Sequence, residues 1–555
     1  MSTAAKKILY ASAAAFTGVV GIGYTNPRWT QRRFGKPPIP LVHQENPTRE
    51  DCMKKLENYI SPENPMDVLI VGGGSVGAGT ALDAVTRGLT VGLVEMNDYA
   101  SGTSSRSTKL IHGGIRYLEK AVFKLDVQQL KLVAEALRER IIMIHQAPHL
   151  CRNVATMIPC YNPFDVAKFW CGVKLYDLIA IWERGTLEYA GFLTPYATMK
   201  KFPMLKHGNR EGSVLFGSVQ YYDGQMNDAR MCLSVALTAA SYGAATVNYT
   251  KVKKMEVVKN EKGEQVVKST IHDRINEKEF IVYSKSVVNA GGPFSAQVEK
   301  LMTDKPSIRM APSSGTHLVI DAKYCPKESA MVIPSNDGRV VFSVSWLDGC
   351  LVGTTDRGCE VSEDIRPSKA EHIISVDKDN LMLSVTGGKW TTYRKIAQDA
   401  VDSLRDTVLK GRVAFKPCVT EELQVVGAHD FAKIPTDAPA DIPQEVHTHW
   451  RKQYGDRYNV LLDMVRKDPE LLRRLHPEEP VVAADVVYAV KQEHCERVVD
   501  FIARRTRLSF LNAEHARAVI PEVARVMAEA KNWCRTRKNE EVAQAFASLD
   551  SFRGN

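Results

Sequence analysis

The stretch that most constrains the fold runs from Asp67 to Glu95. Asp67-Val68-Leu69-Ile70-Val71 is a continuous apolar run of the kind buried in a parallel sheet. Gly72-Gly73-Gly74-Ser75-Val76-Gly77 follows at once and opens a helix predicted through Ala78–Arg87, with Gly88 ending it. A second predicted strand, Thr90–Val94, runs into Glu95. This is a βαβ unit with G-x-G-x-x-G at its first turn. Gly72 permits the tight turn, Gly74 lets the backbone approach a pyrophosphate, and Gly77 lets the helix pack on the strand. The helix N-terminus offers unpaired N–H groups and the positive end of its dipole to phosphates. Glu95 is placed to accept hydrogen bonds from ribose hydroxyls, which favours FAD or NAD over NADP.

Composition narrows the setting. The chain has 555 residues, and at about 150 residues per domain that gives a prior of three to four domains. Mean hydropathy is −0.22, which excludes a polytopic membrane protein. Net charge is +9. Lys6, Lys7, Arg28, Arg32, Arg33, Lys36 and Arg49, against Glu45 and Glu50, place more than half of it in the first fifty residues. The rest is near neutral and lacks the basic balance of a nucleic-acid binder. Ile8–Tyr24 is apolar and small, with basic flanks and no acid before Glu45. A mitochondrial address fits best; a secretory signal and a retained single anchor are its rivals. Pro37-Pro38-Ile39-Pro40 reads as a stiff linker. Eleven cysteines without a C-x-x-C pair support neither a disulfide framework nor a zinc site, so free thiols in a reducing compartment are expected.

Further along, 120–150 is helical by period. Residues 155–182 are unusually aromatic and read as a buried helix, or as a patch entering a lipid interface with Lys168 and Lys174 available for headgroups. Residues 247–290 alternate as a small antiparallel sheet with a turn at Asn260–Gly263. Residues 314–356 give more strands, with turns at Asn336–Gly338 and at Asp348-Gly349. Beyond about 420 the chain becomes helical and charged, with helices predicted over Ala483–Arg507 and Asn512–Lys531. The run from Ala100 to Tyr117 is dense in small and hydroxyl residues. Small residues let a flat ring lie against backbone, and the hydroxyls can bond its edge; an ordinary Ser-rich loop is the plain alternative.

The span from Val71 through Leu118 resembles the FAD-dependent glycerol-3-phosphate dehydrogenases, the mitochondrial branch most of all. Tyr221-Tyr-Asp-Gly-Gln225, Asn227-Asp-Ala-Arg230, Val288–Phe294, Gly315–Leu318, Gly353–Asp356, Gly387–Arg394, Arg504–Leu508 and Phe510–Asn512 extend the likeness over roughly 66–535. The resemblance implies an α/β protein. A FAD-binding Rossmann-like domain of the glutathione-reductase/amino-acid-oxidase type would be interleaved with an antiparallel-sheet substrate domain over 66–419. A C-terminal α-helical domain over 420–555 and a targeting segment and linker over 1–45 complete it. It implies oxidation of sn-glycerol 3-phosphate to dihydroxyacetone phosphate, with electrons passing through FAD to ubiquinone at the mitochondrial inner membrane. The contact would be peripheral or monotopic, and a homodimer is left open.

The cofactor set that follows is Gly72, Gly73, Gly74, Ser75, Val76, Gly77, Glu95, Met96, Ser101, Gly102, Thr103, Ser104, Ser107, His112, Gly113, Gly114, Ala290, Gly291, Gly388, Lys389, Thr391 and Thr392. Gly387-Gly388-Lys389 reads as a glycine loop opening a helix whose N–H groups can face the flavin O2. For the substrate phosphate the candidates are Arg116 and Lys389, then Arg366; Tyr117 can add a hydroxyl. His317 is the candidate base, because a histidine titrating near neutrality suits the hydroxyl proton. His112 is assigned to supporting the flavin.

Two departures from the family pattern stand out. Between Asp356 and Ile365-Arg366-Pro367 the family carries several dozen more residues, and Ala370 sits near the place of a further family arginine. A stretch of the substrate domain is therefore missing, which should expose apolar surface and weaken the phosphate site more than the FAD site. The chain also has no D-x-[DN]-x-[DN]-G loop, so EF-hand calcium regulation is not expected, and no metal site is assigned. The alternatives to a working dehydrogenase are a catalytically impaired flavoprotein, an oxygen-using glycerol-3-phosphate oxidase, and an NAD-linked enzyme.

Overall fold

A computed structural model describes residues 45–114, 118, 126–183, 187–208, 214–308, 313–326, 328–334, 340–353, 357–358 and 373–553. Arg116, Tyr117 and Arg366, the 1–44 segment, the 336–338 turn and the short stretch after Gly358 lie outside the described residues.

The predicted βαβ unit forms the middle of a six-stranded sheet. Its order is Ile373–Asp377, Met382–Thr386, Val287–Asn289, Val68–Val71, Val91–Val94, Ala245–Val247. All neighbours are parallel except the first pair. Val68, Leu69 and Ile70 are fully buried, as a strand covered on both faces requires. The helix Ser75–Thr86 packs against Tyr393–Asp406 and against Asp228–Ser241. Gly88, at φ 91°, ends the first helix as expected. The 247–290 region is a three-stranded antiparallel sheet, Thr250–Lys259, Gln265–Asp273 and Lys278–Ser284.

A second, mixed sheet stands beside the first. Its strands run in the order His317–Asp321, Gly349–Gly353, Val340–Trp346, Ser329–Pro334, Cys151–Cys160, Gly217–Met226, Leu110–Ile111, with Gly191–Leu193 paired to Gly217–Met226. The two-residue strand Leu110–Ile111, inside the hydroxyl-rich run, pairs with Gly217–Met226 at the end of this sheet.

Three expectations are corrected. Residues 155–182 are not one helix: the strand Cys151–Cys160 is followed by a helix over Pro163–Glu183. The break falls at Asn162, whose side chain accepts from the Asp165 N–H at 2.7 Å, with Pro163 opening the helix. Lys174 is buried rather than turned to solvent. It donates to the Ala190 carbonyl (2.5 Å), pairs with Asp177 at 3.7 Å and lies over the Trp170 ring. The helix expected over Ala483–Arg507 stops at Gln492. His494 takes φ 51°, Asp500 accepts the Glu496 and Arg497 N–H groups, and a wide turn covers Phe501–Arg505. The chain leaves the helix there to drive three arginines into the first domain, described below. The 120–150 helix is seen over Val127–Gln146, capped by Asp126. Asn512 caps Ala513–Lys531, and a last helix follows over Arg535–Arg553.

Candidate active site

The glycine cradle is tight enough to exclude other residues. A Cβ on Gly77 would lie 1.8 Å from the Gly72 carbonyl oxygen, and one on Gly72 would lie 2.5 Å from that of Ala290. Gly74 precedes the helix without a side-chain cap, and the first turn carries no acid. Apart from the Ser75 N–H, which donates to the Ser104 hydroxyl, the dipole end is therefore left to an external anion. The Glu95 carboxylate accepts from the N–H of Gly73 (2.7 Å) and Asn97 (2.8 Å). Burial pushes its pKa up, and these two amide bonds oppose that. The carbonyl of Met96 accepts from Arg274 (2.8 Å), and the Ala290 N–H donates to Val71. A dinucleotide pyrophosphate, with its ribose near Glu95, fits this cradle.

One loop, Ser104–His112, ties the cradle to everything else. The Ser104 hydroxyl accepts from the Ser75 N–H (2.9 Å), and the Ser104 carbonyl accepts from Trp390 Nε1 (2.8 Å). The His112 N–H donates to Thr391 Oγ1 at 3.2 Å. Thr108 Oγ1 lies 3.1 Å from His317 Nε2. The pyrophosphate turn, the second glycine loop and the candidate base thus meet on a single short segment. Gly102 precedes the single turn Thr103–Ser105, and Ser101 lies half-buried beside it. Ser107 faces inward, its N–H and hydroxyl both donating to Asp228 (3.0 and 2.8 Å).

Gly387 and Gly388 have φ 75° and 98°, and with Lys389 they are solvent-exposed. A turn over Trp390–Thr392 leads into the helix Tyr393–Asp406 without a side-chain cap. Thr391 is buried against the His112 backbone, and the Thr392 hydroxyl donates to the Lys389 carbonyl. Gly291 bonds the Asn289 side chain through its N–H.

His317 opens the edge strand and is half-buried. Burial, then the charge of Lys109, push its pKa down to about 4, against the pull of Asp228. His112 is likewise pushed down to about 4 by burial, Lys389 and Arg140. Both shifts favour the neutral ring, and for His317 this corrects the expectation of a histidine titrating near neutrality, because burial and the Lys109 charge disfavour the imidazolium. Beneath the Gly113-Gly114 turn, the Tyr176 hydroxyl accepts from the Gly113 N–H (2.7 Å) and donates to Asp223 (2.6 Å). Arg140 holds that carboxylate at 2.8 Å. Asp223 of the Tyr221–Gln225 motif is therefore a buried support for the turn.

Several residues given no role by the sequence form the site's outer wall. Asp98, just past Glu95, is fully buried and accepts from Arg504 (2.5 Å), Arg505 (2.6 and 3.1 Å) and Asn248 (3.0 Å). Lys109, Asp228 and Arg507 form a second buried cluster behind Ser105. The Arg504–Leu508 motif is thus the latch between the helical domain and the cofactor domain. Its signal in the sequence was a dense basic run inside an otherwise apolar stretch.

Cradle, hydroxyl loop and neutral histidines define an FAD-dependent oxidoreductase. Residues 67–438 match the FAD dependent oxidoreductase family, and 418–538 match the C-terminal domain of alpha-glycerophosphate oxidase. The mitochondrial glycerol-3-phosphate dehydrogenase of Arabidopsis thaliana is 36% identical, over 89% of this chain and 87% of its own length. The human mitochondrial enzyme is also 36% identical, over 91% and 75%. The crystal structure of the Bacillus halodurans glycerol-3-phosphate dehydrogenase complexed with FAD superposes with a TM-score of 0.67 at 25% identity, covering 92% of this chain and 98% of that one. The chain belongs to the FAD-dependent glycerol-3-phosphate dehydrogenases, and its cofactor is FAD. The match to the Caenorhabditis elegans relative runs over 617 positions, more than this whole chain of 555 residues. That relative therefore carries residues inside the matched region that this chain lacks.

Proposed function

We propose that this chain oxidises sn-glycerol 3-phosphate to dihydroxyacetone phosphate in mitochondria and passes the electrons to ubiquinone at the inner membrane. The observation that supports it most is the single loop Ser104–His112, which touches the pyrophosphate cradle, the Trp390–Thr392 turn that follows the Gly387–Lys389 loop, and His317. FAD held by the Gly72–Gly77 cradle would supply at N5 an acceptor for the C2 hydrogen with both electrons of its bond. His317, kept neutral, takes the hydroxyl proton as the C2 carbonyl forms. Lys389, with Arg116 and Arg366, offers positive charge to the phosphate, and Tyr117 offers a hydroxyl. Lys389 stands exposed at the mouth of the glycine loop, where a phosphate can reach it.

An apolar outer face supports a membrane-side acceptor. Phe164 and Trp182, near the two ends of one helix, are 84% and 81% exposed, Tyr196 is 78% exposed, and Lys168 stands one turn after Phe164. Among the described residues no helix is long and apolar enough to cross a membrane, and exposed aromatic side chains of this kind suit a peripheral contact. The Phe164–Trp182 helix also carries Tyr176, which bonds the Gly113 turn, so the apolar face and the flavin pocket share one element. The test is anaerobic addition of glycerol 3-phosphate to the FAD-loaded protein in mild detergent. Loss of the flavin's visible band supports the proposal, and bound but unreduced flavin refutes it. Reoxidation by a ubiquinone analogue without peroxide then separates the dehydrogenase from an oxidase.

A further inference from the structure

Lys109 and Arg507 sit behind the hydroxyl loop, on the side away from solvent. Lys109 Nζ donates to the carbonyls of Ser105 and Ser107 (3.0 Å each) and to Asp228 (2.7 Å). Arg507 donates to the same Ser105 carbonyl at 2.7 Å and lies 3.8 Å from Asp228. Both cations lie over the Trp346 ring, at 5.2 and 5.4 Å. Both residues are buried, and both hold left-handed backbone, at φ 65° and 66°. Two buried cations share one carboxylate here, and two non-glycine residues adopt a disfavoured conformation. Each feature works against stability. Such features persist where the surroundings enforce them, and they gather at working sites.

What the pair grips is informative. Thr108 lies between the held Ser107 and Lys109, and its hydroxyl reaches His317 Nε2 at 3.1 Å. We infer that Lys109 and Arg507 are positioning residues for His317. They clamp the loop from behind and so fix the Thr108 hydroxyl that sets the angle and tautomer of the imidazole. Arg507 belongs to the C-terminal helical segment, so that segment completes the active site as well as covering the cofactor domain. The inference rests on the reading of His317 as proton acceptor.

The test uses the FAD-loaded full chain carrying nitrogen-15-labelled histidine, with the His317 signals assigned by difference against His317→Gln. Three variants are compared with wild type: Arg507→Met, Thr108→Val and the double. At neutral pH the wild type should show one His317 tautomer, and each single variant a mixture. Misplacing the base should slow flavin reduction at saturating glycerol 3-phosphate by roughly tenfold, with half-saturation moving less than about threefold. The double variant should be no slower than the slower single, because both act through one chain of contacts. An unchanged tautomer in Arg507→Met, or single effects that multiply in the double, overturns the inference. If Arg507→Met loses its flavin, an unchanged tautomer in Thr108→Val does so alone. If wild-type flavin is not reduced while the tautomer responds as expected, the substrate reading fails and the positioning role stands.

Discussion

Asp98→Asn probes the latch between the two domains most directly. The carboxylate is fully buried and accepts four hydrogen bonds from Arg504, Arg505 and Asn248. Burial pushes its pKa up, but Arg505 and Arg504 prevail and bring it from 3.8 down to about 2. At about 1.4 kcal/mol per unit, that shift is about 2 kcal/mol of stability. Its sign follows from a lowered folded pKa: the stabilisation is present above the unfolded value and is lost only as pH falls through the folded one. The amide loses this at every working pH and also strands two buried guanidinium groups, which takes the penalty toward about 3–5 kcal/mol. Arg504 keeps Asp500 and Arg505 keeps Glu493 at 3.6 Å, which favours the lower end. At about 2.1 cal/mol/K of unfolding entropy per residue, 1 kcal/mol moves the melting temperature of a chain this long by about 1 °C, so a fall of roughly 3 °C is expected. The assay is thermal release of FAD followed by flavin fluorescence, with intrinsic fluorescence alongside. Asp500, which burial and then the Asp98 charge raise to about 6, also titrates in this range, so the gap should narrow somewhat as pH rises through about 6 and stay level above it. A variant that melts within about 1 °C of wild type would refute the latch.

Gly77→Ala should purify largely without flavin, because its Cβ would sit 1.8 Å from the Gly72 oxygen; an unchanged flavin-to-protein absorbance ratio would contradict this. With His317 pushed down to about 4 by burial and then Lys109, the neutral base persists well below its ordinary 6.5. Stopped-flow flavin reduction should therefore stay level as pH falls past 6.5 and decline only toward 4, and an acid limb at the ordinary value would count against it. Phe164→Ser with Trp182→Ser should leave stability within about 1 kcal/mol, since both side chains are already in water. The pair should cut sedimentation with anionic phospholipid vesicles by at least about tenfold, given about 1.5–3 kcal/mol per buried aromatic. Equal vesicle binding by wild type and variant would remove the patch as a membrane contact.

The βαβ opening was legible because its determinants are local: a strand run, a glycine spacing and a helix stop within thirty residues. The same holds for the Asn260–Gly263 turn and for the helix after Gly387-Gly388. Reading failed where long-range partners override local pattern. Ala483–Arg507 has helical period, but buried ion pairs to Asp98 and Asp228 pull its second half out of the helix. Lys174 looked like a surface charge because nothing local shows that the Ala190 carbonyl and the Trp170 ring lie over it. Asp223, Asp228 and Arg507 could be seen as motif members, but their work is defined only by Tyr176, Lys109 and Ser105, which are far away in sequence. Family resemblance marked these positions, and only packing says what they do.

The shortening expected of the substrate domain makes its own prediction. His317–Asp321 is the edge strand of the mixed sheet, and its alternation sends Leu318 and Ile320 to the face opposite His317 and Val319. Leu318 is 60% exposed and Ile320 38%. Two large apolar side chains on one open face of an edge strand are what removal of a covering element leaves behind, and they invite association between chains. If the face is open, Leu318→Thr with Ile320→Thr forfeits little burial and should change the urea midpoint by no more than about 1 kcal/mol in total. If something covers it, the same pair should cost several kcal/mol, at roughly 2–5 for each buried aliphatic truncation. The variant should also stay soluble at concentrations where the parent chain aggregates. Strong destabilisation would refute the open face and with it the idea that the short chain leaves His317's strand unprotected. His317 itself faces the loop side, so flavin reduction by the variant should match the parent's.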